Sequence, residues 1–189
     1  MRINIKDSYR FFYIFVFILI FLFLLSNLIF AENFDEEVRS LVLETETEFL
    51  DVTMAGISNL GNGAIDYLIA SALPDEQANL AARRAVLVSA VSVLALKVII
   101  GQKRPPGPIE YKHFTYDGNY HAMPSGHTAT SFALAATISM YYPKYKYICY
   151  GLATLVGISR LYEDVHWASN VVAGAGVGYI SAKFVDIHW

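Results

Sequence analysis

Long apolar runs separated by short polar segments dominate the chain. The runs span residues 11–30, 52–73, 85–101, 127–142, 147–162 and 170–186, and charged residues or Pro and Gly bound each of them. A helix of about twenty apolar residues, at 1.5 Å per residue, matches a bilayer core of about 30 Å. The pattern therefore predicts an all-α protein whose helices cross a membrane.

The later runs differ in how strongly they support this prediction. The run at 52–73 is the weakest, because Asn59, Asn62 and Asp66 interrupt it. Several others are shorter than the usual span of about twenty residues. Ala, Gly and Ser are frequent at 127–139 and 168–182, where small side chains let helices pack closely in lipid. A buried helical bundle of a soluble protein stays open as the alternative.

Composition favours the membrane interpretation. The 189 residues are 55% hydrophobic and only 16% charged, whereas soluble domains carry roughly 25% charged residues. This length predicts one compact domain. The formal charge of −3, without a local basic cluster, argues against a nucleic acid partner. Cys149 is the single cysteine, so the chain has neither an intrachain disulfide nor a multi-cysteine metal site.

The N-terminal segment 1–31 is either a retained transmembrane anchor or a signal peptide. Three basic residues precede the run at 11–30, which is longer than the roughly 7 to 15 residues of a signal-peptide core. The sequence Ile29-Phe30-Ala31 would nevertheless suit a cleavage site. In both cases the chain that follows is exported, and residues 51–189 form the main domain.

Residues 32–50 form an acidic segment that we place outside the membrane. From Ala31 to Leu50 the chain has seven acids and one base. Its apolar residues fall near helical spacing, at Phe34, Val38, Leu41, Val42 and Phe49. A surface-lying helix and a solvated acidic linker are both compatible with this pattern.

Loop charges give an orientation. If the basic N-terminus is cytoplasmic, the short loops on the same side carry Arg83, Arg84, Lys144, Lys146 and Lys183. The acidic segment and the loops 102–126 and 160–169 then lie on the outer face. The outer loop 102–126 breaks the charge rule with Lys103, Arg104 and Lys112. Because polar groups kept at membrane depth usually serve a site, this exception predicts a functional site there.

Three constellations of reactive residues fall on the outer side. Lys97 and Arg104-Pro105 are seven residues apart, so both cations can share a helix face until Gly101 and the prolines end the helix. A basic pair of this kind is also typical of side chains that reach from a helix end to the membrane surface.

The second constellation is Pro124-Ser125-Gly126-His127. Ser125 suits an N-cap, and Gly126 lets a ligand approach the free amides of a helix start, which bind anions. An ordinary helix cap explains this tetrapeptide equally well when it is taken alone.

The third constellation is Ser159-Arg160, with His166 and Asn170 following. On a helix, positions 166 and 170 are one turn apart, so Asn170 can hold one imidazole nitrogen while the other faces a substrate. Together the three sets supply two histidines, three cations and a helix N-terminus, which is what displacement at phosphorus requires. The set has no carboxylate cluster that would need a metal.

The three motifs resemble those of the type-2 phosphatidic acid phosphatase superfamily, which includes membrane lipid phosphatases, class A acid phosphatases and vanadium haloperoxidases. The family motifs K-x6-RP, PSGH and SR-x5-H-x3-D correspond to 97–105, 124–127 and 159–170, and only the last letter differs. The segment LDVTMAGISNLGNG at 50–63 is also similar to family members. The resemblance covers about 48–186 and implies six transmembrane helices, with the motifs on outer-face loops.

The resemblance also implies a role for each matched residue. His166 is the nucleophile that forms a phosphohistidine, and His127 is the acid that protonates the leaving group. The residues expected to bind phosphate are Lys97, Arg104, Ser125, Gly126 and Arg160. No metal or other cofactor is expected. Four further loop residues are expected to be solvated: Lys103, Lys112, His113 and His121.

Asn170 stands where the family has an aspartate that orients the nucleophilic histidine and balances its charge. An amide can hydrogen-bond but supplies no charge, and the analogous Asp→Asn change in a serine protease costs about 10⁴ in rate. Asn170 is either natural or an introduced substitution that traps substrate. Glu163 or Asp164 could also supply the missing carboxylate, although both precede His166.

These inferences predict a metal-independent lipid phosphate or pyrophosphate phosphatase in a bacterial-type inner membrane, multi-pass, with its site facing the exterior. Candidate lipids are undecaprenyl pyrophosphate, phosphatidic acid, phosphatidylglycerol phosphate and lipid A phosphate, and the Tyr-rich loop 106–123 is expected to help select among them. Two alternatives stay open. One is a catalytically inactive membrane protein that binds lipid phosphates, and the other is a soluble periplasmic acid phosphatase. The oligomeric state is not indicated.

Overall fold

The computed structural model describes residues 28–188, which contain seven α-helices, two short 3₁₀ turns and no β-strand. The helices are α1 (Leu28–Leu43), α2 (Glu48–Leu60), α3 (Gly63–Ser71), α4 (Glu76–Ile100), α5 (Gly126–Tyr141), α6 (Lys146–Tyr162) and α7 (Ala168–His188). The 3₁₀ turns are Gly118–Tyr120 and Pro143–Tyr145. The all-α prediction is confirmed for these residues.

The chain divides into two compact units, residues 1–34 and 35–189. Of the first unit the structure describes residues 28–34, which open α1. The second unit contains the rest of α1 and the six helices that follow it. All of the residues that the three motifs contribute lie in the second unit.

Polar side chains fix where three of the helices begin. A side-chain oxygen that accepts a backbone N–H of the first turn replaces a hydrogen bond that the helix itself cannot make. The bonds are Leu50 N–H to Thr47 Oγ1, Ala64 N–H to Asn62 Oδ1 and Ala78 N–H to Asp75 Oδ1. The caps therefore fix the starts of α2, α3 and α4.

Gly101 ends α4 in a conformation that favours glycine. Its φ is 59°, in the left-handed region. A Cβ at this position would lie 1.8 Å from the carbonyl oxygen of Lys112. The Lys112 N–H also donates to the Gly101 carbonyl at 2.7 Å. The loop after α4 therefore folds back onto the helix end, and this contact positions Arg104.

The core is built around α5, which packs against α3, α4, α6 and α7. A Cβ on Gly178 would lie 2.1 Å from the Ala129 carbonyl oxygen, and one on Gly174 would lie 2.6 Å from the Ser125 carbonyl oxygen. The backbones of α5 and α7 therefore touch, which only small residues allow. The close packing predicted for 127–139 and 168–182 is confirmed.

The predicted helix at 52–73 is in fact two helices. α2 ends at Leu60 and α3 begins at Gly63. A Cβ at Gly61 would lie 2.2 Å from the Val156 side chain, so α6 approaches the chain at the break. α4 begins at Glu76, ahead of the predicted start at 85, while α5, α6 and α7 closely match their predicted ranges.

None of the helices that the structure describes combines the length and apolar character required of a candidate membrane span. The predicted first span at 11–30, and the anchor or signal peptide at 1–31, fall almost wholly outside the described residues. The count of six transmembrane helices stays a prediction.

The acidic segment after residue 31 is helical as far as Leu43, so α1 corresponds to the surface helix rather than to the linker. The apolar residues of α1 were expected to face inward, but Leu41, one of them, is 58% exposed. The buried side chain is an acid, because Asp35 is 1% exposed. α1 is therefore attached through polar contacts.

Candidate active site

Two cations converge at the end of α4. Lys97 is buried in the last turn, and its Nζ donates to the carbonyl oxygen of His121. Arg104 Nη2 donates to the same oxygen at 3.2 Å, and Nη1 donates to the Val165 carbonyl at 3.1 Å. The two cations do not share a helix face, because Gly101 ends α4 and Arg104 lies on the loop. One carbonyl brings them together instead.

Ser125 occupies the N-cap position of α5 and is fully buried. The expected capping bond is absent, because the Ser125 hydroxyl bonds no first-turn N–H and instead accepts from Thr128 Oγ1 at 2.9 Å. The Ser125 N–H donates to the Asn170 carbonyl at 3.0 Å, which joins the second motif to the third. A Cβ at Gly126 would meet only Val93, at 3.7 Å, so packing alone does not require glycine there.

Arg160 lies in the last turn of α6 and has an anionic partner. Its Nη1 donates to Glu163 Oε2 at 2.5 Å and to the hydroxyl of Ser58, a buried residue of α2. The third cation is therefore held by a carboxylate, unlike Lys97 and Arg104.

His166 lies on the loop between α6 and α7 rather than on a helix with Asn170. Its side chain is buried, and its Nδ1 is a buried atom without a hydrogen-bond partner in the structure. Arg104 binds the neighbouring carbonyl of Val165. The imidazole is thus enclosed next to a cation, and its Nδ1 has no hydrogen-bond partner among residues 28–188.

Asn170 is fully buried, and its amide has two partners besides the imidazole. Its Oδ1 accepts the Trp167 N–H at 3.0 Å, and its Nδ2 donates to Gln102 Oε1 at 2.5 Å. A hydrogen bond with the Asn170 side chain also acts on His166 and raises its pKa, against the larger effect of burial. Gln102, which is 1% exposed, was missed from sequence because it lies in the variable spacer of the first motif.

The three cations act on both histidines. Burial, followed by the charges of Lys97, Arg104 and Arg160, lowers the pKa of His166 well below its usual value near 6.5. Arg160, Lys97 and Arg104 also act electrostatically on His127, at the start of α5. Burial, and then the charge of Arg160, lowers the pKa of Arg104. The motifs therefore assemble one cluster, in which the His166 imidazole is kept neutral and lies close to Lys97, Arg104 and Arg160.

Glu163 and Asp164 do not face His166 as replacements for the missing aspartate. Glu163 pairs with Arg160, and Asp164 accepts two hydrogen bonds from Arg39, both of 2.7 Å. Both carboxylates are occupied by arginines, so neither supplies the charge that Asn170 lacks.

The four basic loop residues predicted to be solvated divide into two groups. Lys112 and His113 are exposed, and the Lys103 ammonium pairs with Glu110 at 3.0 Å on the surface. His121 is different, because its Nε2 contacts the Thr115 carbonyl at 3.0 Å and its own carbonyl holds both Lys97 and Arg104. The position of His121 in the site carries no signal in the sequence, because its contribution comes from the backbone.

No group of three or more His, Cys, Asp or Glu side chains among the described residues is arranged to hold a metal ion. The cluster consists of cations, histidines and amides. Such groups stabilise the charge of a phosphoryl group in the absence of a bound metal. Independence from metals stays a prediction.

Known proteins are similar to this chain in sequence and fold. A segment of 92 residues, 47% of the chain, is 40% identical to the lipid A 1-phosphatase of Porphyromonas gingivalis, but it spans only 18% of that relative. The crystal structure of LpxE from Aquifex aeolicus has a similar fold, with a TM-score of 0.70 and 22% identity over 82% of this chain and 96% of that one.

A second similar structure is the transmembrane PAP2-type phosphatidylglycerolphosphate phosphatase from Bacillus subtilis, with a TM-score of 0.57 and 19% identity. It covers 89% of this chain and 93% of its own. Both structures support the all-helical architecture. The model of the PAP2 superfamily matches residues 80–187, more than half of the chain, and this protein therefore belongs to the PAP2 superfamily.

Proposed function

We propose that the protein is a lipid phosphatase that cleaves a phosphomonoester or pyrophosphate headgroup through a phosphohistidine at His166, without a metal. The observation that carries this proposal is the position of His166. Its imidazole is buried, and this burial, with the charges of three nearby cations, lowers its pKa well below the usual value. A neutral imidazole beside cations is suited to attack phosphorus in an anionic substrate.

In the proposed reaction, an imidazole nitrogen of His166 forms a bond to phosphorus while the bond to the leaving oxygen breaks. His127 gives its proton to that oxygen. A water molecule then attacks phosphorus, the bond between phosphorus and the His166 nitrogen breaks, His127 accepts a proton from this water, and inorganic phosphate leaves. Lys97, Arg104 and Arg160 bind the non-bridging oxygens throughout, with Ser125 and the Gly126 amide completing the phosphate site.

Exposed apolar surface supports a lipid substrate and a membrane location. On α4, Leu87, Val91 and Leu94 recur at helical spacing and are 51%, 66% and 63% exposed. A strip of this kind is suited to contact with lipid. The names of the relatives point to lipid A and phosphatidylglycerol phosphate, and undecaprenyl pyrophosphate and phosphatidic acid complete the set of candidates.

The loop 106–123 is proposed to help choose the lipid. It presents Tyr116 at 87% and Phe114 at 75% exposure. Tyr116, with an apolar ring and a polar hydroxyl, suits the interface between lipid and water, and Phe114 adds an apolar side chain. Both residues lie on the same loop between α4 and α5 as Arg104. They would therefore be near a headgroup that is bound at the cations.

Phosphate release from a panel of the four candidate lipids, with and without EDTA, tests the proposed function. At least one lipid should be turned over at a rate that EDTA does not change, and vanadate should inhibit by occupying the cation site. Loss of turnover in EDTA that Zn²⁺ restores would contradict metal independence. Absence of turnover with every lipid would contradict the choice of substrate class.

The proposed location is a bacterial-type inner membrane, with the site on the exterior face. Gly118 is suited to a labelling test, because it is exposed and a Cβ there meets no atom within 4 Å. With Cys149 replaced by Ser, a Gly118→Cys variant should react with an impermeant maleimide in intact cells. Reaction only after permeabilisation would contradict this orientation.

One observation favours a second candidate, a membrane protein that binds lipid phosphates without turning them over. Asn170 is neutral and is bonded to Gln102 and Trp167, so position 170 supplies no carboxylate to balance a charged His166. In this case vanadate and lipid phosphates would bind, while phosphate release would match that of His166→Ala.

A further inference from the structure

The loop that carries His166 is contacted by α1 at two points. The first is Asp35, which is 1% exposed. Its Oδ1 accepts the Ser169 N–H at 2.7 Å, and its Oδ2 accepts the Ser169 hydroxyl at 2.6 Å. Ser169 lies in the first turn of α7, so a carboxylate from a distant segment caps this helix. Negative charge at a helix N-terminus is stabilising.

The second contact is a two-point ion pair. Arg39 Nε and Nη2 donate to Asp164 Oδ1 and Oδ2, each at 2.7 Å. Asp164 has a φ of 51°, in the left-handed region that non-glycine residues rarely adopt. A planar arginine that binds both carboxylate oxygens fixes the orientation of its partner. The strained backbone at Asp164 is therefore held in place by Arg39.

The two contacts bracket the nucleophile. Asp164 precedes His166 by two positions, and Ser169 follows it by three. The loop between α4 and α5, which carries Lys103 and Arg104, binds the same segment at two other points. Arg104 Nη1 donates to the Val165 carbonyl, and Trp167 Nε1 donates to the Lys103 carbonyl at 3.0 Å. The segment 163–169 is thus bound both by the loop between α4 and α5 and by α1.

We propose that Asp35 and Arg39 are positioning residues through which α1 holds the segment 163–169 and so fixes the imidazole of His166 for attack. This inference rests on the proposed function, since His166 must be the reacting group. It assigns α1 a part in turnover, although α1 lies outside the three motifs and contributes no group to the phosphate site.

The expected signature is a loss in turnover rather than in substrate binding. Lys97, Arg104 and Arg160, the proposed phosphate ligands, lie on α4, its following loop and α6 and have further partners outside the segment 163–169, so KM should change less than kcat. A displacement of the nucleophile by about 1 Å costs up to about 100-fold in rate. Asp35→Ala and Arg39→Ala should each lower kcat by about 10- to 100-fold and leave KM within about threefold.

The test uses the full chain in detergent micelles containing short-chain phosphatidic acid, or whichever candidate lipid is turned over fastest. Kinetics of Asp35→Ala, Arg39→Ala and Asp35→Asn are compared with Glu37→Ala, which removes an exposed acid from the same helix. Asp35→Asn keeps an oxygen for the Ser169 N–H and should retain kcat within about threefold of wild type. Glu37→Ala should match wild type.

Hydrogen exchange of the same variants supplies a readout that does not depend on turnover. In Asp35→Ala and Arg39→Ala, exchange should accelerate in peptides covering 163–169 and stay unchanged in α5. The proposal is overturned if kcat of both variants equals that of Glu37→Ala, if KM alone rises, or if exchange accelerates equally throughout the protein. If wild type turns over no lipid faster than His166→Ala, the proposed function fails, and unchanged exchange at 163–169 separately contradicts the role of α1.

Discussion

The cations at the two ends of the site are held in different ways. At the end of α4, Lys97 and Arg104 donate to backbone carbonyls, those of His121 and Val165. At the end of α6, Arg160 donates to a carboxylate, that of Glu163. The same kind of group, with the same proposed task, thus has a neutral partner in one region and an anionic partner in the other.

This difference has an electrostatic consequence. A carbonyl satisfies a donor without cancelling its charge, so the charge of Arg104 is not offset by its hydrogen-bond partners. Glu163 offsets the charge of Arg160, and a bound phosphate would have to compete with this carboxylate. The hydrogen-bond partners at the end of α4 are therefore neutral, whereas the partner at the end of α6 is an anion that a phosphate would displace.

Asn170→Asp would add a carboxylate at the start of α7, and it is the change with the largest expected effect. A charge there would balance protonated His166 during the reaction and fix the imidazole tautomer, so kcat should rise by about 10- to 10⁴-fold. Because Asn170 Nδ2 now donates to Gln102 Oε1, Gln102 must turn its amide so that Nε2 faces the new carboxylate.

The measurement is single-turnover phosphate release. The gain should disappear when His166→Ala is added to Asn170→Asp. An unchanged kcat in Asn170→Asp, together with no effect of His166→Ala, would favour the non-catalytic lipid phosphate binder.

Arg104→Gln removes a cation from the carbonyl-held end. Lys97 stays at this end as a second cation, but the charge and the donors of Arg104 itself are lost, so kcat/KM should fall by about 10²- to 10³-fold, as for loss of a donor that stabilises a transition state. Lys103→Gln is the matched control, because this neighbouring lysine pairs with Glu110 on the surface. Equal losses in the two variants would show that general positive charge, rather than Arg104 itself, matters.

Glu163→Gln removes the anionic competitor of Arg160 and should have a smaller, opposite effect. Vanadate and phosphate should inhibit about two- to fivefold more strongly, because exposed or partly exposed ion pairs contribute up to about 1 kcal/mol. Inhibition constants for inorganic vanadate provide the measurement, and Glu110→Gln serves as a control at an ion pair away from the site. Weaker inhibition in Glu163→Gln would mean that Glu163 orients Arg160 instead of competing for it.

The dependence of kcat/KM on pH tests the electrostatics with the smallest expected change. Protonation inactivates His166 as a nucleophile, and its pKa lies well below 6.5. Activity should therefore persist as pH falls through 6.5 and decline only at lower pH. Lys97→Met removes one of the charges that lower this pKa, so the decline should move upward toward pH 6.5. A decline at the same pH in both proteins would assign it to another group.

The sequence predicts which residues come together better than it predicts the contacts that they make. The spacing of the motifs predicted that Lys97, Arg104, Arg160, His127 and His166 belong to one site, and the structure brings them together. The helix end at Gly101 was also predicted, because glycine and the following prolines stop a helix locally.

The contacts that organise the site join distant residues and carry no local signal. Asn170 bonds Gln102 across 68 positions, and Asp35 bonds Ser169 across 134. The His121 contribution comes from its carbonyl, which every residue has. Burial of Asp35 also contradicts the helical pattern of α1, which would have placed the apolar residues inward. Such pairings depend on how the helices assemble and not on the properties of either segment alone.

A covalent phosphoryl group on His166 is the most direct test of the account. Protein mixed with a ³²P-labelled lipid phosphate and quenched in alkali within milliseconds should carry label that is lost in acid, as expected of a phosphohistidine. Mass spectrometry should locate it in the peptide containing His166, and His166→Ala should carry none. Turnover of the lipid without any labelled protein, or label on a different residue, would contradict the proposed nucleophile.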